Sequence, residues 1–186
     1  MTRILVFGGT FDPPHLGHVE LVKKAMEHLQ CEKVLFVIAA TSPFKQTNAH
    51  TLSEHRLAML KLALAEKPWA EICTLELDRG GTSYTIDTLQ TLQKQHETDV
   101  SFMLLIGEDQ AASFDKWHNN EEIESIASVV VLGRDGYESD RFKTLPIETI
   151  PVSSSQIRKR CRDNQSIEHL VSPAVCAYIA AHNLYM

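Results

Sequence analysis

Ile4-Leu5-Val6-Phe7-Gly8-Gly9-Thr10-Phe11-Asp12-Pro13-Pro14-His15-Leu16-Gly17-His18 is the stretch around which the rest of the chain is arranged. Its apolar start reads as a buried strand, cut off at once by turn residues. Beyond it Val22, Ala25, Met26 and Leu29 recur at helical spacing, so a helix is predicted to begin near Gly17. Strand, glycine-rich turn and helix N-terminus, in that order, make a place for phosphate. The glycines admit close backbone approach, and the first helical turn offers unsatisfied N–H groups and a positive dipole end. His15 and His18 stand at this junction, three residues apart, a spacing that turns both rings the same way. An imidazole near its reference pKa of roughly 6.5 holds a proton at little cost and donates to phosphate. Either ring alone is as readily a cap or a packed core histidine. The pair after GGTFDPP points to phosphate chemistry. Zinc lacks a third ligand nearby at a metal-site spacing.

Composition excludes several classes. The 186 residues suffice for one domain with a substantial core. A net charge of −6 argues against a general nucleic-acid binder while leaving room for local basic patches. No apolar run approaches the roughly 18 residues of a membrane span. Arg3 followed by a strand does not read as a secretory leader. The cysteines at 31, 73, 161 and 176 form no CxxC pair, which suits reduced thiols and a cytoplasmic location.

GGTFDPPHLGH resembles the signature of the nucleotidyltransferase superfamily, whose HxGH box binds a nucleotide triphosphate. The long form GGTFDPPHxGH is similar to that of the bacterial nicotinate-nucleotide adenylyltransferases. Laid over the alternation of strands and helices in this chain, the resemblance implies an α/β, Rossmann-like doubly wound parallel sheet with helices on both faces. One domain is expected over residues 1–186, with a C-terminal helical segment, 154–186, packed on it.

Further segments extend the resemblance. Val34–Ala40 reads as a second buried strand, and Thr41–His50 as a loop. In the resembling family a His precedes the loop Lys; here Phe44 stands before Lys45. The resemblance implies that Lys45 reaches a phosphate; read alone, it is equally a solvated lysine. Thr51 and Glu54 have capping-box spacing ahead of Leu57, Leu60 and Leu64. His55 and Arg56 read as surface or loop-bracing residues. Ile72–Leu77 alternates like a strand.

Thr82-Ser83-Tyr84-Thr85-Ile86-Asp87-Thr88-Leu89 follows a Gly-Gly break and reads as a helix start whose hydroxyls cap free N–H groups. SYTIDTL resembles the segment that holds the pyridine carboxylate, which implies substrate contacts at Tyr84 and Thr85. Ser101–Ile106 reads as a central strand ending in Gly107-Glu108-Asp109. Ligands gather beyond the carboxyl ends of such strands. Gly107 permits close approach, and the two oxygens of Asp109 suit two ribose hydroxyls, although Asp109 also suits a helix cap. The likeness to IGxD followed by Trp implies ribose binding by Asp109 and stacking of Trp117 on the pyridine ring; His118, beside it, can supply a backbone N–H. Without it, Trp117 reads as core, with Phe114 three residues back.

Ser128–Leu132 reads as another buried strand, Asp135–Lys143 as a charged loop and Ile147–Ile150 as a short last strand. Arg134, at a strand end, suits phosphate, base or a salt bridge. Ser153-Ser154-Ser155-Gln156-Ile157-Arg158 resembles the ISSTxIR box that faces HxGH in the superfamily, with Ser155 in place of Thr. Serines at a helix start with Arg158 one turn in make a second anion site. Ser166–Tyr185 is predicted helical, packing on the sheet.

The resemblance implies adenylyl transfer from ATP to nicotinate mononucleotide, giving deamido-NAD and pyrophosphate, with Mg2+ arriving on ATP. His15, His18, Lys45 and Arg158 are the candidate catalytic donors. Gly8, Gly9, Thr10, Phe11, Gly107, Asp109, Arg134, Ser154 and Ser155 are the further ATP contacts. Neither a metal cage of protein ligands nor a nucleic-acid or membrane partner is expected. Open alternatives are nicotinamide mononucleotide or phosphopantetheine as acceptor, and a nucleotide-binding module without catalysis. A redox Rossmann protein is disfavoured, since the glycines do not read GxGxxG.

Overall fold

A computed structural model describes residues 1–41, 51–96, 99–133, 137–148 and 150–186. The strands β1 (Thr2–Gly9), β2 (Lys33–Ile38), β3 (Ala70–Cys73), β4 (Val100–Gly107), β5 (Ala127–Leu132) and β6 (Lys143–Leu145) form a single sheet in the order β3-β2-β1-β4-β5-β6. Every neighbouring pair is parallel. The helices are α1 (Leu16–Leu29), α2 (Ser53–Leu64), α3 (Leu75–Arg79), α4 (Thr85–Gln95), α5 (Glu108–Ala111), α6 (Asn120–Ile126), α7 (Ser154–Arg162) and α8 (Pro173–Ala181).

The two-residue period of a strand sorts its side chains between two cores. On one face Ile4, Val6, Leu35, Val37, Leu104, Ile106, Val129 and Val131 pack with Ile86 and Leu89 of α4 and Ile123 of α6. On the other, Leu5, Val34, Phe36, Leu105 and Val130 pack with Val19, Val22 and Ala25 of α1 and Leu60 of α2. Both faces are therefore covered, which explains why these strands read as continuous apolar runs. The sheet is the expected α/β doubly wound arrangement. The strand order reverses direction between β1 and β4, and ligands bind outside the carboxyl ends of the strands at such a switch point.

Several expected elements differ. Ile72–Leu77 is not one strand: β3 ends at Cys73 and α3 begins at Leu75. A short alternating apolar run fits either a strand or a helical turn; here Leu75 packs toward one core and Leu77 toward the other. The last strand is Lys143–Leu145 rather than Ile147–Ile150. Only its Leu145 is buried, so it carries no apolar signal, while the Ile147 N–H folds back onto the Leu145 carbonyl at 2.9 Å. Thr51 does not cap α2; the N-cap position is Leu52, with no side-chain hydrogen bond. The C-terminal helix packs not on the sheet but against α2 and α7. Met59 and Ala63, Ile157, and Val175 and Ile179 form a third cluster that also takes in Leu170 and Val171.

Candidate active site

The turn after β1 and the start of α1 are one hydrogen-bonded unit. His15 is the N-cap of α1, and its Nδ1 accepts the His18 N–H at 3.3 Å. The His18 Nδ1 accepts the His15 N–H at 3.2 Å in return. The two imidazoles thus make a reciprocal capping box, a role usually taken by Ser or Thr with Glu or Gln. Their rings stack with centroids 3.6 Å apart and 20° between planes. With each Nδ1 accepting, each neutral ring carries its hydrogen on Nε2. Burial lowers the His15 pKa to about 4, so His15 is a neutral donor rather than the near-reference imidazole its sequence suggests. Phe11 lies edge-on to His18, with centroids 5.2 Å apart.

Glycine is required at two points of this turn. A Cβ on Gly9 would lie 2.8 Å from the Phe11 ring, and one on Gly17 would lie 2.7 Å from Val152 Cγ1 and 3.0 Å from His15 Nδ1. Gly8 faces open space.

The start of α7 is tied to the same turn. Ser153 is its N-cap and accepts the Gln156 N–H. The Ser154 hydroxyl donates to the Pro13 carbonyl at 2.8 Å. Arg158 Nη1 donates to the Asp12 carbonyl at 2.6 Å, and its Nη2 to the Ser155 hydroxyl at 3.2 Å. Two chain segments about 140 residues apart in sequence, each a helix start, therefore form one wall.

That wall opens on a cleft of about 1130 Å³ at the switch point. This exceeds the roughly 300–1,000 Å³ of an ordinary small-ligand pocket. Gly8, Gly9, Thr10, Phe11, His15, His18, Tyr84, Thr85, Gly107, Asp109, Trp117, His118, Ser154, Ser155 and Arg158 all line it. Lys45, with Phe44, and Arg134 lie outside the described residues.

The opposite wall starts at α4. Its N-cap is Tyr84, which makes no side-chain cap. The expected hydroxyl cap is absent because Ser83 instead accepts the Ala40 N–H at 2.9 Å. Tyr84 is 37 % exposed, and its ring lies 4.7 Å from that of His118. Trp117 is half-buried on Phe114, with centroids 5.2 Å apart. The 3₁₀ turn Phe114–Lys116 that carries Trp117 is held by Arg141, which pairs with Asp115 and Glu124 and lies over the Phe114 ring. Gly107 is the N-cap of α5, which puts Asp109 in the first turn of that helix rather than at its cap.

Residues outside the expected site set also build the site. Glu76 is buried in the cleft wall and accepts the Thr88 hydroxyl at 2.9 Å. Burial raises its pKa, opposed by the Ser83 and Thr88 hydrogen bonds and by Arg79. Arg56, 2 % exposed, donates to the carbonyls of Thr51, Thr10, Ala39 and Ala40. It braces the loops after β1 and β2 from inside. Of the two roles read for Arg56 the structure shows the loop-bracing one, buried rather than at the surface; nothing in the local sequence marks Glu76.

A switch-point cleft in which two helix starts converge their anion donors is the arrangement of a nucleotidyltransferase. A family model described as cytidylyltransferase-like matches residues 6–160. A probable nicotinate-nucleotide adenylyltransferase of Geobacillus kaustophilus is 38 % identical over 188 residues, covering 100 % of this chain and 87 % of the relative. One of Herpetosiphon aurantiacus is 34 % identical over 199 residues, covering 100 % of both. The solved Plasmodium falciparum nicotinic acid mononucleotide adenylyltransferase complexed with NaAD superposes with a TM-score of 0.79 at 22 % identity, covering 100 % of this chain and 98 % of that one. At that identity the structural likeness speaks to the fold. The chain belongs to the cytidylyltransferase-like family and, within it, to the nicotinate-nucleotide adenylyltransferases.

Proposed function

We propose that the cleft transfers the adenylyl group of ATP to nicotinate mononucleotide, forming deamido-NAD and pyrophosphate. The observation that carries this reading is the junction of the His15–His18 turn with the Ser154–Arg158 turn on one cleft. The acceptor phosphate is ionised near neutral pH, so it attacks the α-phosphorus without a general base. Rate enhancement then comes from holding two anions in line and spreading the charge that develops between them. The Nε2–H groups of His15 and His18, the Arg158 guanidinium and the backbone of Gly8–Thr10 are the proposed donors, with Ser154 and Ser155 beside them. The family resemblance adds Lys45, and the place of Arg134 after β5 adds it as a further candidate.

On the other wall, Asp109 suits the ribose hydroxyls. Tyr84 and Thr85 bring the uncapped start of α4 to the pyridine carboxylate, where open N–H groups and the dipole favour an anion. Trp117 offers a ring face to the pyridine, and His118 lies beside Tyr84. Among the described residues no group of three or more His, Cys, Asp or Glu could hold a metal. A magnesium ion carried on the ATP phosphates needs no such cage, and its chemistry is to neutralise charge on the departing pyrophosphate. No described helix is long and apolar enough to cross a membrane.

Pyrophosphate release from ATP, measured with nicotinate mononucleotide, nicotinamide mononucleotide or phosphopantetheine as acceptor, tests the reading. The first should be the best substrate. A preference for either of the others would redirect it, and no release with any would favour a binding module.

A further inference from the structure

Asp12 is 1 % exposed, and a buried carboxyl group is costly unless its oxygens are partnered. The Tyr185 hydroxyl donates to its Oδ1 at 2.6 Å, across 173 residues of sequence. The Thr51 N–H donates to Oδ2 at 3.4 Å, and the Arg56 guanidinium attracts the same carboxyl group. Burial, then the Asp12 contact, raises the Tyr185 pKa, so the phenol keeps its proton and donates. The backbone carbonyl of Asp12 is the acceptor for Arg158 Nη1. One residue is thus gripped at its side chain by Tyr185 and at its carbonyl by Arg158.

We propose that Tyr185 is a positioning residue of the active site: its hydroxyl on the Asp12 carboxyl group fixes the peptide that anchors the Arg158 guanidinium. The Tyr185 ring packs against the third cluster, which includes Ile157 of α7 and Met59 of α2. It therefore holds the signature turn against the two helices that flank it. Removing the hydroxyl leaves the ring packing in place and takes away the shortest side-chain contact given for the Asp12 carboxyl group, so the Asp12 peptide is held less firmly. Arg158 then loses its fixed direction, and the acceptor-side wall, built by α4 and Trp117, is untouched.

This inference rests on the adenylyl-transfer reading, and steady-state turnover separates the two. Absence of wild-type turnover with ATP and nicotinate mononucleotide would sink that reading. Given turnover, Tyr185→Phe is measured alone and in an Arg158→Ala background. Alone it should lower kcat/KM for ATP by about fivefold or more, with the acceptor KM within about twofold of wild type. In the Arg158→Ala background the same change should cost less than about twofold, because the group it positions is gone. A similar loss in both backgrounds, no loss in either, or an equal rise in the acceptor KM would overturn the proposal. If Tyr185→Phe does not fold, Asp12→Asn carries the same test. It keeps the carbonyl that accepts from Arg158 and weakens the acceptor for Tyr185, so it must show the same dependence on Arg158.

Discussion

His15 and His18 do two jobs with one geometry. Each Nδ1 closes the capping box, and each ring then carries its hydrogen on Nε2, the donor proposed for phosphate. His18→Ala should keep the sheet and lose on the order of 10²–10³ in kcat, the usual cost of one well-placed donor to developing charge. Near-normal turnover with an unchanged circular dichroism spectrum would remove His18 from the mechanism. His15 supplies a pH prediction. Its pKa falls from 6.5 in the unfolded chain to about 4 in the fold. Between those values the unfolded chain binds more protons, so its contribution to stability is full above pH 6.5 and is lost as pH falls toward 4. The loss amounts to roughly 3 kcal/mol once both states are protonated. Urea denaturation at pH 4.5 and pH 7 should show a smaller difference for His15→Asn, which keeps a good N-cap, than for wild type. Equal differences would mean that His15 is protonated in the fold.

Elements meet where side chains leave no room. Gly17, in the first turn of α1, faces Val152 on the approach to α7, with 2.7 Å available for a Cβ. Gly17→Ala should cost about 1–3 kcal/mol as overpacking and lower turnover by pushing the two helix starts apart. A variant as stable and as active as wild type would show that the two segments are loosely joined. Trp117 caps a 3₁₀ turn that Arg141 braces through Asp115 and the Phe114 ring, and its own ring packs on Phe114. Trp117→Ala should raise the acceptor KM about tenfold, and leave the ATP KM near wild type. A rise in both would mean that the ring supports the whole cleft.

The same elements show what was legible in the sequence. β1, β2, β4 and β5 are buried on both sides, and four or more consecutive apolar residues announced them. β6 has one buried residue of three and did not. The alternation over Ile72–Leu77 runs from β3 into α3, because five helical residues are too few to show a helical period. Among the proposed site residues, those in glycine-rich or hydroxyl-rich turns could be found from local pattern. Arg56 reads as a surface or loop-bracing residue and proves to be the second, but the roles of Asp12, Glu76 and Tyr185 do not show, because they lie in contacts such as that between Asp12 and Tyr185, which no local window contains.

Across the molecule, two cores hold the sheet and a third holds the C-terminal helices on α2. The third is what brings α7 to the signature turn. The molecule can thus be read as a rigid sheet offering its switch point, and a helical clamp bringing a second set of donors to it. The central claim is that both sets act on one triphosphate. Calorimetric binding of ATP and of adenosine to wild type, His18→Ala and Arg158→Ala tests it most directly. Each substitution should weaken ATP about tenfold or more, near 1.4 kcal/mol, and leave adenosine within about twofold. Unchanged ATP affinity in either variant, or equal losses for ATP and adenosine, would contradict it.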